Sequence, residues 1–445
     1  MSTSTGSTTK ALITGIAYCD TREIDKNVFD VANETGFDDL MTIIGGYKPT
    51  EQPNFHHFVD EDLFQVLVFD ALGVAGSGTT TLTVTITTTG YARRGLKLKF
   101  ADGKVGYINS AVTTAGAKDS FTIKSVDGTN LTAVAADKVS SMGITMGAGS
   151  DEVSALSYGL TKYFNFVEHL KDKTEIDDIQ EASKVEVGTG YEAYRQAVNQ
   201  AQSFKTEIST TLIGGRKSVN EFGTASPSMV DEYGGSMQTT GGMDQEINSY
   251  GVAGANLAGT FSLATQDTLC DQLNAVKAPA GFMEILPDSA KRLKDTYWKN
   301  LGSAGVTSAR LNFDGKEVDF NVSKVTHGRF DFQYGSLAIL NHPQKFNFTG
   351  GPDIGKTAYG IPTDKVKVQV GPGGKGGAQY RIGVRYLPNA YAKSNQGTAW
   401  IREWYTGANN QAPTSGKEVK TCHISTTQGF EAIGTRQMYH QKVLS

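Results

Sequence analysis

The sequence predicts an α+β fold in which strands predominate and a few helices stand apart. Three observations predict it: a long apolar helical stripe from residue 189, short alternating segments between residues 76 and 149, and renewed alternation from residue 310 onward. Strands and helices do not alternate regularly along the chain, so a parallel βαβ fold is not expected.

Length and composition limit the possible functions. The 445 residues suffice for about two or three domains. Lys and Arg number 42 against 46 Asp and Glu, a net charge of −4, which argues against a protein that works mainly by binding phosphate backbones. The three cysteines, Cys19, Cys270 and Cys422, lack the spacing of a metal site or a disulfide framework. We expect reduced thiols, and no apolar run reaches the ~18 residues of a membrane span.

The first elements lead from a polar arm into a region of short strands. Residues 1–60 are predicted to form an N-terminal arm, and the start "MSTSTGSTTK" has neither the basic nor the apolar part of a secretion signal. Composition changes at residue 76, and residues 76–149 are rich in Thr, Val and Gly and contain no Pro. This segment is predicted to be an inserted antiparallel barrel or sandwich. Its predicted strands are residues 81–87, 96–100, 106–112, 121–126 and 131–136.

The segment "KYFNFVEHLKDKTEIDDIQEASKVEV", residues 162–187, predicts a long exposed hairpin whose two strands are joined by a charged stretch. Acidic residues cluster near the predicted tip, including Glu175, Asp177, Asp178 and Glu181. They could pair with a cation of a neighbouring subunit or simply form a solvated loop. The candidate subunit-contact residues are Phe164, Phe166, His169, Lys171, Glu175, Asp177 and Asp178.

The clearest single element is a helix over residues 189–213. Thr189 and Glu192 form a capping-box pattern, in which each side chain satisfies a free backbone N–H at the helix start. Apolar residues then recur every three or four positions, and Gly214 and Gly215 end the helix. About 25 residues at 1.5 Å each give a length of roughly 37 Å.

The second half of the chain returns to mixed structure. Residues 216–259 are predicted to be mostly loop, and helices are predicted over residues 266–278 and 287–302. A hairpin is predicted around Asp314-Gly315, and further strands follow to the C-terminus.

Motifs that could carry chemistry are weak. Residues 350–357, "GGPDIGKT", match the phosphate-loop pattern, but Gly360 and Pro362 prevent the helix that should follow Thr357. His56 and His57 are adjacent and precede acidic residues, yet neighbouring side chains on a strand point to opposite faces, which disfavours a shared metal ion. We therefore predict no catalytic residue, no cofactor and no metal ligand.

The order of these elements resembles the major capsid proteins of tailed bacteriophages of the Hong Kong phage type. The residues that carry the resemblance are the "HHFVDEDL" strand, the Thr- and Gly-rich insertion, the charged hairpin, and the capped helix that ends in "TEISTTLIGG". The resemblance implies that the helix is the spine of a peripheral domain and that the hairpin overlaps a neighbouring subunit. The implied division is an N-terminal arm (1–60), an extended loop with flanking strands (61–75 and 150–188), an inserted β domain (76–149), a peripheral domain (189–260 and 303–350), an axial domain (261–302 and 351–400) and returning C-terminal strands (401–445).

The resemblance also implies a function. The chain would be a structural protein, not an enzyme, that assembles into pentamers and hexamers of an icosahedral phage head enclosing double-stranded DNA. Its partners would be many copies of itself, portal and other head proteins and, non-specifically, DNA, with no membrane; it would reside in the virion after assembly in the bacterial cytoplasm.

Three alternatives remain open at this stage. An encapsulin-like compartment would share the fold and would need a cargo-binding site. A nucleotide-binding enzyme would depend on residues 350–357 alone. A surface-layer protein or adhesin fits the Thr- and Gly-rich strands but lacks an export signal.

Overall fold

The computed structural model describes residues 46–60, 67–75, 77–87, 91–116, 118–147, 160–177, 192–218, 237–305, 312–313, 316–317, 324–367, 377–389, 400–406 and 419–444. The chain divides into two compact units. We call Phe58–Tyr163 the barrel unit, and Met1–His57 together with Phe164–Ser445 the main unit.

Strands and a few helices make up the described residues, which gives an α+β architecture. The helices are α1 (Glu192–Gly214), α2 (Met243–Tyr250), α3 (Leu263–Ala275) and α4 (Asp288–Gly305). The strands are β1 (Tyr47–Pro49), β2 (Asn54–Asp60), β3 (Leu67–Ala75), β4 (Thr81–Ile86), β5 (Leu96–Lys99), β6 (Val105–Ile108), β7 (Thr113–Ala115), β8 (Lys118–Ser125), β9 (Lys138–Ile144), β10 (Leu160–Phe166), β11 (Glu168–Asp177), β12 (Val252–Ala253), β13 (Gly281–Leu286), β14 (Asn312–Phe313), β15 (Lys316–Glu317), β16 (Lys324–His327), β17 (Phe330–Ser336), β18 (Thr357–Pro362), β19 (Val366–Lys367), β20 (Ala378–Gln379), β21 (Ile382–Tyr386), β22 (Ile401–Thr406), β23 (Val419–Ala432) and β24 (Tyr439–Lys442).

Six strands of the barrel unit close on themselves. The order is β4-β3-β9-β5-β6-β8, and β8 pairs back with β4, while β7 adds to β8. All of these pairings are antiparallel. Alternate residues point inward, so that side chains such as Leu82, Val84 and Ile123 are fully buried. Closure leaves the barrel strands without an open edge, which is how a small sheet avoids pairing with other chains.

One strand predicted within the insertion is wrong. Residues 131–136 form no strand, and Leu131 makes only an isolated bridge with Thr79. The backbone turns at Ala136, where φ is 65°, and the Asp137 carboxylate accepts a hydrogen bond from the Val134 N–H. The apolar residues that alternate here are buried without pairing to a neighbouring strand. The barrel is completed by β9, which the sequence did not predict.

The main unit contains a five-stranded sheet with α1 packed against it. Its strand order is β1-β21-β23-β11, and β22 also pairs with β23. The helix predicted over residues 189–213 is present, although Thr189 of the expected capping box lies outside the described residues. Phe204, Ile208 and Leu212 of α1 are buried in the same apolar core as Ile424 and Phe430 of β23. The second half of the helix is therefore anchored in the core.

A six-stranded sheet forms the other part of the main unit, in the order β12-β24-β18-β13-β17-β16. β13 and β17 are parallel, and α4 lies in the connection between them, as a parallel pair requires. Phe282, Phe332 and Tyr439 lie at the centre of its core. These pairings place residues 324–336 beside 281–286, across a predicted boundary between peripheral and axial domains. Sequence patterns do not reveal which strands pair over such separations.

The described half of the predicted hairpin does not pair with itself. β10 pairs with β2, and β11 pairs antiparallel with β23 over ten residues. Glu175 and Asp177 lie opposite Thr421 and Val419 in this sheet. Polar and apolar residues alternate in β11, which is compatible with pairing to any strand that has one apolar face. The sequence pattern therefore does not identify the partner strand. Residues 178–191 lie outside the described part of the chain.

Candidate interaction surface

Strands β11, β23 and β22 share one face that carries most of the predicted contact residues. The register places Lys173 beside His423 and His423 beside Trp404. Because side chains alternate along a strand, residues two apart share the face. We call this surface the open face; its members are His169, Lys171, Lys173, Glu175 and Asp177 of β11, Thr421, His423 and Thr427 of β23, and Arg402, Trp404 and Thr406 of β22.

The opposite face of the same strands fixes this orientation. Ile424 of β23 is buried in the core that contains Phe204 and Ile208 of α1, and Leu170 and Ile401 pack against that core. Burying these apolar residues against α1 turns the charged residues of β11 outward. All five open-face residues of β11 are exposed.

An aromatic stack lies at the centre of the open face. The rings of Trp404 and His423 are parallel, with an interplanar angle of 6° and a centroid distance of 4.9 Å. The Arg402 guanidinium lies 4.4 Å from the Trp404 ring centroid, and His423 Nε2 is 2.9 Å from the Thr406 hydroxyl. Burial, with a smaller contribution from Lys173, lowers the pKa of His423. A neutral ring at pH 7 can stack on Trp404 without a desolvation cost for charge.

Charged residues surround this stack along β11. Lys173 Nζ lies 2.9 Å from Glu175 Oε1, and His169 Nδ1 lies 2.7 Å from the Thr427 hydroxyl. Burial, followed by the charge of Lys171, lowers the pKa of His169. Exposed pairs such as Lys173 and Glu175 contribute little to stability, about 0 to 1 kcal/mol.

The structure brings only part of the predicted contact set together. His169, Lys171, Glu175 and Asp177 lie on the open face. Phe166, by contrast, is 2% exposed and buried inside its own chain, so it cannot offer its side chain to another subunit. Asp178 lies outside the described residues.

Phe164 is also engaged within its own chain. It meets the Phe166 ring edge-on at 5.8 Å. Lys217 Nζ lies 4.9 Å from the Phe164 ring centroid, donates to the Phe164 carbonyl and pairs with Glu246 at 2.8 Å. Phe164 is half-buried and belongs to this internal contact.

The residue between the two phenylalanines, Asn165, joins three distant parts of the main unit. Its Nδ2 donates to the carbonyls of Gly241 and Phe430, and its Oδ1 accepts from the N–H groups of Gly241 and Phe166. All four hydrogen-bonding positions of the amide are filled. Sequence reasoning missed this residue, although a polar residue between two aromatic residues in a strand was a signal that could have found it.

The phosphate-loop pattern does not form a phosphate site. Residues 353–356 form a short 3-10 helix, and Thr357 begins β18 directly, so no α-helix N-terminus faces the loop. The Thr357 hydroxyl donates to the Asp353 carbonyl, and the Asp353 carboxylate pairs with Lys442 at 2.8 Å. The Thr357 hydroxyl and the Asp353 carboxylate thus form contacts within the chain, and these contacts give both residues of the motif a structural role.

Among the described residues, no group of three or more His, Cys, Asp and Glu side chains is arranged to hold a metal ion. No helix among these residues has both the length and the apolar character for crossing a membrane.

No family model matches the chain. No curated protein matches it either. Among solved structures, it is similar to the capsid of a native GTA particle, at 8% identity and a TM-score of 0.42 over 100% of both chains. It is similar to a structure of Gordonia phage Cozz, at 9% identity and a TM-score of 0.41, over 97% of this chain and 93% of that one.

A third similar structure is a holo-SrpI encapsulin complex from Synechococcus elongatus, at 12% identity and a TM-score of 0.33, over 65% of this chain and 78% of that one. Phage, capsid and encapsulin structures are thus what this chain resembles. Every one of these TM-scores lies below 0.5.

Proposed function

We propose that the chain is a structural subunit, not an enzyme, that self-assembles into the icosahedral head of a tailed phage, as pentamers and hexamers around double-stranded DNA. Portal and other head proteins would be further partners. The order of elements in the sequence resembles major capsid proteins of this type. The observation that carries the proposal is the open face, since it presents charged and aromatic side chains on a rigid sheet.

Rigid presentation suits a repeated contact between copies. β11 is held by β23 on one side and by α1 on its apolar face, so its exposed charges have fixed spacing. A partner that meets them loses little conformational entropy in ordering a loop. The Trp404–Arg402–His423 stack adds the residue types that dominate binding energy at protein interfaces, chiefly Trp and Arg.

The full-length chain should form closed particles of uniform size when it is expressed alone or with its head partners. Negative-stain electron microscopy and sedimentation velocity measure this directly. Co-purified double-stranded DNA would support a genome container, whereas a co-purified protein cargo would favour a cellular compartment. A chain that stays monomeric under every condition of salt, crowding and partner addition would contradict the proposal.

A substitution on the open face tests the observation that carries the proposal. Lys171→Glu reverses an exposed charge and should leave the fold intact while reducing particle yield at least tenfold. Lys367→Glu is the matched control, because it reverses the charge of a lysine that is also exposed, on β19, and it should assemble like the parent chain. Equal yields from both variants would remove the open face from the assembly contacts.

A further inference from the structure

Charge is distributed unevenly along the chain. Residues 76–149 hold eight Lys and Arg against four Asp and no Glu, a net charge of +4. The remainder holds 34 Lys and Arg against 42 Asp and Glu, a net charge of −8. Two copies that approach at random therefore repel each other, unless a basic region of one meets an acidic region of the next.

The four acids of this segment serve the fold of the barrel. Asp102 accepts from the Lys104 N–H, Asp127 from Ser125 and Thr129, and Asp137 from the Val134 N–H. Asp119 is 1% exposed and accepts from the Thr114 hydroxyl. Turn and core contacts thus occupy the carboxylates.

The lysines, in contrast, line the outer surface of three adjacent strands. Lys97 of β5 lies directly opposite Tyr107 of β6, and Tyr107 lies opposite Lys124 of β8. Lys99 is two residues beyond Lys97 on the same face and is exposed. We call Lys97, Lys99, Tyr107 and Lys124 the cationic row. Within the described part of the barrel unit, no ion pair joins these three lysines to an acid.

The acids at the end of β11 complement the cationic row in spacing. Glu175 and Asp177 are exposed and lie two residues apart on the open face, a separation of roughly 6.8 Å along a strand. Lys97 and Lys99 have the same separation for the same reason.

We propose that the cationic row of one copy docks on Glu175 and Asp177 of a neighbouring copy. The inference rests on the proposed self-assembly and names one of its contacts. Such a contact joins different surfaces of the two copies, and contacts of this kind generate rings when the rotation closes. Each exposed charge pair is weak, but repetition around a ring adds the contributions and fixes the relative position of the copies.

A charge swap in the full-length chain tests the contact. Lys97→Glu with Lys99→Glu should reduce the sedimenting assembled fraction at least tenfold, and so should Glu175→Lys with Asp177→Lys. The four substitutions together should restore assembly to within about twofold of the parent, because opposite charges meet again. Lys138→Glu, exposed on β9 and outside the row, is the control and should change nothing. Circular dichroism confirms that each variant is folded.

The outcomes separate this inference from the proposed function. A parent chain that never assembles contradicts the proposed function itself. A parent that assembles while the four-residue swap does not restore assembly overturns the proposed contact alone. A third result would also overturn it: lysine variants that assemble normally but lose binding to a DNA oligonucleotide or heparin would make the row a polyanion site.

Discussion

The barrel unit and the main unit are stabilised in different ways. In the described part of the barrel unit, only Asp119 and Ser125 are buried polar residues, and the rest of the core is apolar. The main unit buries many more polar groups, including Asn165, Lys294 and Glu284. Apolar alternation between neighbouring strands thus specifies the barrel, whereas polar contacts between distant segments specify the main unit.

The ion pair between Lys294 of α4 and Glu284 of β13 is the clearest case in the main unit. Both side chains are fully buried, and Lys294 Nζ also lies 5.1 Å from the Phe261 ring centroid and 5.6 Å from that of Tyr334. A buried pair adds little net stability, but removal of one partner leaves an uncompensated charge in the core. The pair therefore fixes where α4 lies on the sheet.

Lys294→Met should produce the largest effect in the molecule, a loss of about 3 to 5 kcal/mol in the free energy of unfolding of the main unit. Urea unfolding followed by tryptophan fluorescence measures it selectively, since all three tryptophans, Trp298, Trp400 and Trp404, lie in the main unit. The double variant Glu284→Met/Lys294→Met should be clearly more stable than the single one. A double variant that loses as much as the single variant would contradict the argument.

A substitution inside the barrel should cost less and act through packing alone. Gly106 faces inward, where an added Cβ would overlap Ile123 Cγ2 and lie 3.2 Å from Leu131 Cδ1. Gly106→Ala should therefore destabilise the barrel unit by about 1 to 3 kcal/mol. Hydrogen exchange of the β6 and β8 amides should report the loss, while the tryptophan transition of the main unit stays unchanged.

Gly147→Ala is the matched control for that experiment. Gly147 also belongs to the barrel unit, and an added Cβ there has no atom within 4 Å. Exchange rates in β6 and β8 should equal those of the parent chain. If both variants exchange alike, the crowded interior at Gly106 does not determine barrel stability.

The same contrast explains which features could be predicted from sequence. The alternating runs at residues 81–87 and 96–100 lie in the barrel as strands, because side-chain alternation between close neighbours records burial directly. The helix Glu192–Gly214 was equally visible from its apolar stripe and terminal glycines. Local patterns were sufficient wherever local packing decides the structure.

Long-range pairing could not be predicted in this way. The alternation of β11 showed that His169, Lys171 and Glu175 share a face, but not that β23, some 250 residues away, would pair with it. The Trp404–His423 stack of the candidate surface depends in turn on the register between β22 and β23. Phe166 was predicted as a contact because residues 162–187 were interpreted as a long exposed hairpin. The Phe166 side chain is instead buried beside Asn165, whose amide is hydrogen-bonded to distant parts of the main unit.

Lowering the pH should reduce the stability of the main unit more than that of the barrel unit, and this effect should be smaller than those of the substitutions above. All seven histidines lie in the main unit. Burial is the largest cause that lowers the pKa of five of them, His57, His169, His342, His423 and His440. A lowered folded pKa contributes stability above the unfolded value of about 6.5, and that stability is lost as the pH falls through the folded pKa.

The stability of the barrel unit depends on pH in a different range, because the groups whose pKa is lowered there are aspartates. Hydrogen bonds from Thr129 and Ser125 lower the pKa of Asp127 to about 2, so that its contribution is present above the unfolded value of 3.8 and lost only below it. Glu168 and Glu246 of the main unit act in the opposite direction, since burial raises the pKa of each and their contribution is lost as the pH rises through the folded pKa.

Between pH 7.5 and 5.5, we therefore expect the urea midpoint of the tryptophan transition to fall while barrel exchange rates, corrected for intrinsic exchange, stay constant. His423→Gln should reduce that fall, because the substitution removes one of the histidines whose pKa is lowered in the folded state and which must accept a proton. Equal acid sensitivity of both units across this range would show that the histidines of the main unit do not account for the difference.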